Sequence, residues 1–143
     1  MKKLITILSF TLTSLFFLSS GWAQKMTPGL WEATSQFRVN GIPLPTSVDE
    51  ECITKEMTQN LREKLLEELK GKGCKLDKWN LKKQNLEAEL SCDKDDLKAK
   101  GQIKGQVTSK SYDLTGDAEG SYKGIPSVAN IKLTGKWKAK CQK

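Results

Sequence analysis

The clearest pattern in this chain is an alternation of apolar and polar residues, most regular in its second half. Between Lys98 and Thr108, alanine, glycine, isoleucine and valine occupy every second position, and lysine, glutamine and threonine fill the positions between them. A period of two residues is typical of a β-strand that buries one face. Alternation and turn residues together predict about seven strands, over residues 30–39, 46–52, 75–81, 86–92, 98–108, 112–120 and 129–141.

Turn residues separate the first two strands. Asn40-Gly41 suits a tight turn because both residues tolerate a positive φ. Pro43 and Pro45 interrupt regular pairing, so the next strand is expected to begin only near Thr46. The acidic run 49–51 in that strand predicts an edge or a solvent-facing segment.

One segment has a helical period instead. Apolar residues recur there every four positions, as in an amphipathic helix. Thr54 is a suitable N-cap, and Lys70 followed by Gly71 is typical of a helix C-terminus with a left-handed cap. The apolar stripe consists of Met57, Leu61, Leu65, Leu66 and Leu69.

Short connections between the strands favour antiparallel pairing, because a parallel crossover needs a dozen or more residues. We therefore predict a mainly β fold with one helix: a curved antiparallel meander of about seven strands, barrel-like or half-barrel, packed by a single amphipathic helix. The apolar face of this sheet is rich in glycine and alanine, which leaves space. Either the helix packs closely there or the sheet encloses a pocket.

The first 23 residues have the composition of a secretory signal peptide. Lys2 and Lys3 precede a nearly uncharged apolar run, Leu4–Leu18, and small residues lead to a cleavage site after Ala23. The run is shorter than the roughly 20 residues that a spanning helix needs. We expect a signal peptide over 1–23 and a single disulfide-bonded β-rich domain over 24–143, periplasmic, monomeric and not embedded in the membrane.

All four cysteines lie in the expected mature part, and an even count in an exported domain predicts disulfides with three possible pairings. A hairpin of residues 75–81 and 86–92 places Cys74 directly opposite Cys92. That leaves Cys52, just before the helix, to pair with Cys141 near the C-terminus. The second disulfide would anchor a last strand that is expected to end at the margin of the sheet.

Basic residues outnumber acidic ones. Without residues 1–23, 22 lysines and arginines remain against 17 acidic residues, a net charge of +5. Four lysines share one face of the last predicted strand, and Lys100 and Lys104 would lie near them in a curled sheet. They either protect an exposed edge or attract an anionic envelope component. Nucleic acid is not expected, because this face has no aromatic residues on which bases could stack. The four lysines are Lys132, Lys136, Lys138 and Lys140.

Catalytic motifs are scarce. The chain contains no histidine, which removes the usual general base, a common metal ligand and the standard catalytic triad. Asp93, Asp95 and Asp96 resemble part of a calcium loop but lack its glycine and final glutamate, so they predict a turn. There is no glycine-rich phosphate loop or nucleophile elbow. We expect no bound metal, no cofactor and no enzymatic activity. The alternative is an enzyme that depends on carboxylates for catalysis.

Aromatic residues and glycines coincide on the apolar face. Trp31, Phe37, Tyr112 and Trp137 are the candidate ligand-binding residues. They predict a non-enzymatic periplasmic domain that binds an apolar or amphipathic ligand, or an envelope component, in a concave face. Two alternatives remain open: the aromatics form the core under the helix, or the domain is a purely structural or protein-interaction module of the envelope.

Several spaced motifs carry a resemblance to a known family. They are Pro28-Gly29-Leu30-Trp31-Glu32, Cys52-Ile53-Thr54, the Cys74–Cys92 hairpin, and the terminal segment from Gly135 to Cys141. The chain resembles the exported bacterial proteins grouped as domain of unknown function 3617. The resemblance implies a periplasmic protein of a Gram-negative bacterium, and it supplies no catalytic residue. This chain is richer in lysine than the family pattern, and its helix is longer.

Overall fold

The computed structural model describes residues 26–142, and strands make up most of this part of the chain. The predicted signal peptide and its cleavage site lie outside the described residues. The strands are β1 (Gly29–Val39), β2 (Ile42–Pro43), β3 (Ser47–Ile53), β4 (Cys74–Lys82), β5 (Asn85–Lys94), β6 (Leu97–Val107), β7 (Ser111–Tyr122) and β8 (Ile125–Ala139), and the helices are α1 (Lys55–Gln59) and α2 (Leu61–Gly71). No helix within 26–142 is long and apolar enough to cross a membrane.

All strands belong to one antiparallel sheet that curves without closing. From one side to the other the order is β1, β8, β7, β6, β5, β4, and β2 and β3 both pair with the outer side of β1. The edges of the sheet are therefore β3 with β2 on one side and β4 on the other, and α1 and α2 connect the two edges. The predicted curved meander with one helical segment is confirmed, and the acidic strand does lie at an edge.

The structure has one more strand than the sequence predicts. Asn40 and Gly41 adopt φ values of 50° and 81°, which form the predicted tight turn. This turn aligns Ile42 with Val39 at once, so Ile42 and Pro43 pair with β1 as the short strand β2. The expectation that pairing resumes only near Thr46 was therefore wrong, because the short strand β2 pairs with β1 before that point.

The predicted single helix consists of two. The hydroxyl of Thr54 accepts a hydrogen bond from the Met57 N–H at 3.3 Å, which confirms the N-cap. The backbone leaves the helical region at Asn60, where φ is −124° and ψ is 40°, and this separates α1 from α2. Gly71 remains helical. The left-handed residue is Gly73, with φ 72°, because the chain completes another turn before it reverses.

Of the two helices, α2 contacts the sheet at β4, and α1 contacts α2. The helices do not fill the inner face of the sheet, which we define as the face that carries Trp31 and Tyr112. The apolar stripe of the helices is half-buried, and Leu61 is exposed. The core instead forms at one end of the inner face, where the sheet curls and β1 approaches β5 and β6. Its buried residues are Met26, Trp31, Leu86 and Val107, and Ile53, Trp79, Leu81, Tyr112, Leu114 and Trp137 pack against them.

A bulge in β4 decides which of its residues reach this core. Cys74 and Leu76 lie opposite Cys92 and Leu90, but the register shifts between Leu76 and Lys78. With Asp77 as the extra residue, Trp79 turns to the inner face. Unbroken alternation would turn Trp79 outward, since a shift of one residue exchanges the two faces of a strand.

Both disulfides form with the predicted pairing, Cys74–Cys92 and Cys52–Cys141. The expectation that the Cys52–Cys141 disulfide anchors a last strand at the margin of the sheet was wrong. The last strand, β8, does not lie at the margin of the sheet, because it pairs with β1 on one side and with β7 on the other. The Cys52–Cys141 disulfide instead holds the edge strand β3 to the end of β8, across β1.

Candidate functional site

Three of the four predicted ligand-binding aromatics pack together in the core. The rings of Trp31 and Tyr112 stack with centroids 6.0 Å apart, and Trp137 stands opposite Trp31 on β8. Trp31 is only 1% exposed, so its ring offers no surface to a ligand. Phe37 lies apart, at the other end of β1, and is 40% exposed. Tyr112 and Phe37 each line a separate small cavity, of about 250 and 330 Å³. A ligand role for these four residues stays a prediction, and the structure does not bring them together as one binding surface.

The inner face also carries acidic residues from β3. Glu51 and Asp49 stand opposite Trp31 and Ala33 on this face. Burial raises the pKa of Tyr112 above 10.0, and the negative charge of Glu51 raises it further. Both effects favour the neutral phenol, because each makes the phenolate harder to form.

The opposite surface, which we call the charged face, carries the alternating polar residues. The predicted lysine row on β8 lies here, with Lys132, Lys136 and Lys138 exposed and Lys140 just beyond the end of the strand. Protection of an exposed edge is not its role, because β8 is paired on both sides. The lysines of β6 are also not its neighbours, since β7 lies between and carries Asp113, Asp117 and Glu119 on this face.

Basic and acidic residues alternate from strand to strand across the charged face. Opposite positions pair Lys98 with Asp93, Lys100 with Glu119, Lys104 with Glu87 and Lys136 with Glu32. Ammonium and carboxylate groups approach to 3.4 Å between Lys78 and Glu89, and to 3.2 Å between Lys138 and Glu32. Exposed pairs of this kind contribute only about 0–1 kcal/mol each. A shift of one residue would exchange the two faces of a strand and turn these charges toward the apolar face, which disfavours that shift.

A groove with a volume of about 740 Å³ lies on the charged face. One row of opposed residues, Lys75, Ser91, Lys100, Glu119 and Val128, runs across its floor from β4 to β8. Asp93, Lys98 and Pro126 line it beyond this row. The groove thus combines both signs of charge with an apolar end, where Val128 is 52% exposed.

Ser91 is distinctive within this groove. Its hydroxyl oxygen is buried and has no hydrogen-bond partner in the protein. A buried polar group left unpaired costs about 1–3 kcal/mol. Such a group is therefore a candidate contact for a ligand. Ser91 is not recognisable from the sequence, because its surroundings depend on the pairing of β5 with β4 and β6.

The described residues offer no metal centre: no three cysteine or acidic side chains among them are grouped so that they could hold an ion. The aspartates that resemble a calcium loop serve as a turn. Asp93 belongs to β5, and Asp95 and Asp96 connect β5 to β6, with Asp95 at φ 51°. The predicted turn is confirmed.

The model of a protein family, described as protein of unknown function (DUF3617), matches residues 26–141. This chain belongs to that family. The match spans nearly all of the described residues and confirms the resemblance found in the sequence. No match was found among curated proteins or among solved structures.

In this DUF3617 protein, two residues of the motif 28–32 form hydrogen bonds at the start of β1. The indole N–H of Trp31 donates to the carbonyl of Thr27 at 2.9 Å, and that of Trp137 donates to the carbonyl of Pro28 at 3.2 Å. These bonds fix the segment before β1 against the core, where Met26 is buried. The motif therefore has a structural role at the start of β1.

Proposed function

We propose that this protein is an exported, periplasmic binding domain without catalytic activity, and that it binds an amphipathic ligand in the groove of its charged face. One observation carries the proposal: a groove of about 740 Å³ places exposed Val128 at the end of a row of charged residues. Two disulfides support the compartment, because disulfides persist in oxidising environments such as the bacterial periplasm.

The composition of the groove favours an amphipathic ligand over a purely apolar one. Val128 and Pro126 offer apolar surface at one end, and lysine and acidic side chains occupy the rest. A purely apolar ligand would desolvate these charges without compensating them. A ligand with a polar head and an apolar chain would match both parts.

The arrangement of the acidic residues favours binding over catalysis. Asp93 stands opposite Lys98, and Glu119 stands opposite Lys100. Acid–base catalysis by two carboxylates needs a pair that converges on one substrate bond. In this groove each carboxylate faces a lysine instead, which suits a binding surface of fixed charge.

Calorimetric titration of the disulfide-bonded mature protein with dodecyl maltoside and dodecyl phosphate, both below their micelle concentrations, tests the proposal. We expect binding at one site. Val128→Glu should weaken it about tenfold or more, because a new charge replaces apolar contact worth about 1.5 kcal/mol. Val48→Glu is the matched control, since Val48 is 61% exposed on β3, on the charged face but outside the groove. If neither detergent binds, or both valine variants bind like the parent, the groove is not the site.

A further inference from the structure

The floor of the groove is a straight row of residues that crosses five strands. Lys75 on β4 stands opposite Ser91 on β5, and Ser91 stands opposite Lys100 on β6. Neighbouring strands lie about 4.8 Å apart, so the backbones of the two lysines are about 10 Å apart with Ser91 midway. Two long, flexible lysine side chains therefore flank one serine.

The hydrogen-bonding state of Ser91 indicates what this triplet lacks. Its hydroxyl is buried and has no partner in the protein, and its cross-strand neighbours on this face are the two lysines. Lysine ammonium groups are donors only, and a hydroxyl can also donate. A group that accepts hydrogen bonds and carries negative charge would satisfy all three side chains at once.

Existing partners of the lysines compete only weakly. Lys75 lies 3.7 Å from Asp77 of its own strand, and both side chains are exposed. Lys100 stands opposite Glu119. Exposed pairs are weak because water screens them, so either lysine can turn toward a second anion. The groove is lined by more basic than acidic residues: Lys75, Lys98 and Lys100 against Asp93 and Glu119.

We propose that Lys75, Ser91 and Lys100 form a subsite for an oxyanion, such as the phosphate or carboxylate head of the amphipathic ligand. This inference rests on the proposed function of the groove. Ser91 lies three strand spacings from Val128, about 14 Å. The ligand therefore extends across the row, with its head over β4–β6 and its apolar chain toward β8.

The test compares three probes that share parts of this chemistry: dodecyl phosphate, dodecyl maltoside and inorganic phosphate. The parent should bind dodecyl phosphate at least about tenfold more tightly than either of the others, as expected for charge-assisted hydrogen bonds. The double variant Lys75→Gln, Lys100→Gln should lose this preference. Lys104→Gln, on the same strand and face as Lys100 but outside the groove, should keep it.

Ser91→Ala separates ligand binding from folding. It should weaken binding of dodecyl phosphate about fivefold, the loss expected for one hydrogen bond. The urea midpoint should not fall, because the substitution removes an unpaired buried hydroxyl.

The outcomes separate this subsite from the function on which it rests. Equal affinity for the two detergents, or a preference that survives in the double lysine variant, overturns the anion subsite and leaves the groove as a binding site. Absence of binding by either detergent overturns both proposals. If inorganic phosphate binds as tightly as dodecyl phosphate and the double variant loses it, the subsite stands with a free anion as its ligand, and the apolar part of the proposal is overturned.

Discussion

Tyr112 packs in the aromatic core, and the charge of Glu51 on the acidic edge strand also acts on its hydroxyl. Its ring stacks on Trp31, and it also stands opposite Gly135, where a side chain would collide with the ring. Burial is the larger cause of its raised pKa, and the charge of Glu51 is the smaller. The two causes can be separated by substitution because Glu50 and Glu51 face opposite sides of β3.

The first prediction concerns the titration of this phenol. In Tyr122→Phe, Tyr112 is the only remaining tyrosine, so tyrosinate absorbance reports on it alone. We expect a midpoint above 10.0, which Glu51→Gln lowers only in part because burial remains. Glu50→Gln is the control and should leave the midpoint where it is. A midpoint at or below 10.0 would mean that the ring is not buried as described.

The same shift has a consequence for stability at high pH. A folded-state pKa above the unfolded value contributes stability below pH 10, and this contribution is lost as the pH rises through the folded pKa. The free energy of unfolding should therefore fall above pH 10 more steeply in the parent than in Tyr112→Phe. Urea midpoints measured between about pH 9 and pH 11 provide the comparison.

Single residues show where sequence reasoning ends. Alternation alone assigns Tyr112 to the apolar face and Lys100 to the polar one, and the structure agrees. Alternation cannot reveal that Ser91 lies between two lysines or that Glu119 separates Lys100 from Val128, because those neighbours come from other strands. The sequence could not show how the four aromatic residues are distributed for a related reason: residues on one face of a sheet can pack against each other as easily as they can line a pocket.

Among the elements, β4 best illustrates the difference between local pattern and final structure. Two of its residues must face the same side of the sheet, and an unbroken strand of this sequence cannot place both of them there. Cys74 must face Cys92, and Trp79 must face the core, but these residues are an odd number of positions apart. The bulge at Asp77 reconciles the two.

Deletion of Asp77 is the second prediction. Without the extra residue, β4 alternates without interruption, and Cys74, Trp79 and Leu81 all keep the inner face. We expect the Cys74–Cys92 disulfide to form and the free energy of unfolding to change by no more than about 1 kcal/mol, because neither a core side chain nor the disulfide is lost. Urea unfolding measures the stability, and a count of free thiols reports on the disulfide.

The control for the deletion keeps the length of the strand. Asp77→Asn preserves the bulge and should change stability by no more than about 0.5 kcal/mol, as is usual for surface substitutions. A deletion variant that loses about 3 kcal/mol or more, or that has free thiols at Cys74 and Cys92, would show that alternation without the bulge does not keep both residues on the inner face.

The elements that sequence analysis predicted are those with a local cause. Period-two alternation predicts the long strands, Thr54 predicts the start of the helix, and Asn40-Gly41 predicts the first turn. The features that differ arise from pairing or from backbone geometry without a strong local signal: β2, the break at Asn60, the bulge and the interior position of β8. An interior strand and an edge strand can carry the same alternation, so the lysines of β8 could not reveal its place in the sheet.

At the scale of the whole molecule, the sheet is open and its core is confined to one end. Such a sheet has two edges, and in this chain each is tied by one disulfide. Cys52–Cys141 holds β3, and Cys74–Cys92 holds β4 to β5. Disulfides commonly compensate for a limited core in small exported domains. The two bridges differ in the length of chain that they close, with sequence separations of 89 and 18.

That difference gives the last prediction. Replacing Cys52 and Cys141 together by serine should cost about 4.6 kcal/mol on the loop-entropy model, and replacing Cys74 and Cys92 together about 3.2 kcal/mol. The longer loop loses more restriction of the unfolded chain, so the first double variant should be less stable by about 1.4 kcal/mol. Urea unfolding of both variants, with the fully reduced parent as reference, measures the difference. The reverse order would mean that the β4 edge depends more on its bridge than loop length predicts, because direct cross-strand tethering then outweighs the entropy of the unfolded state.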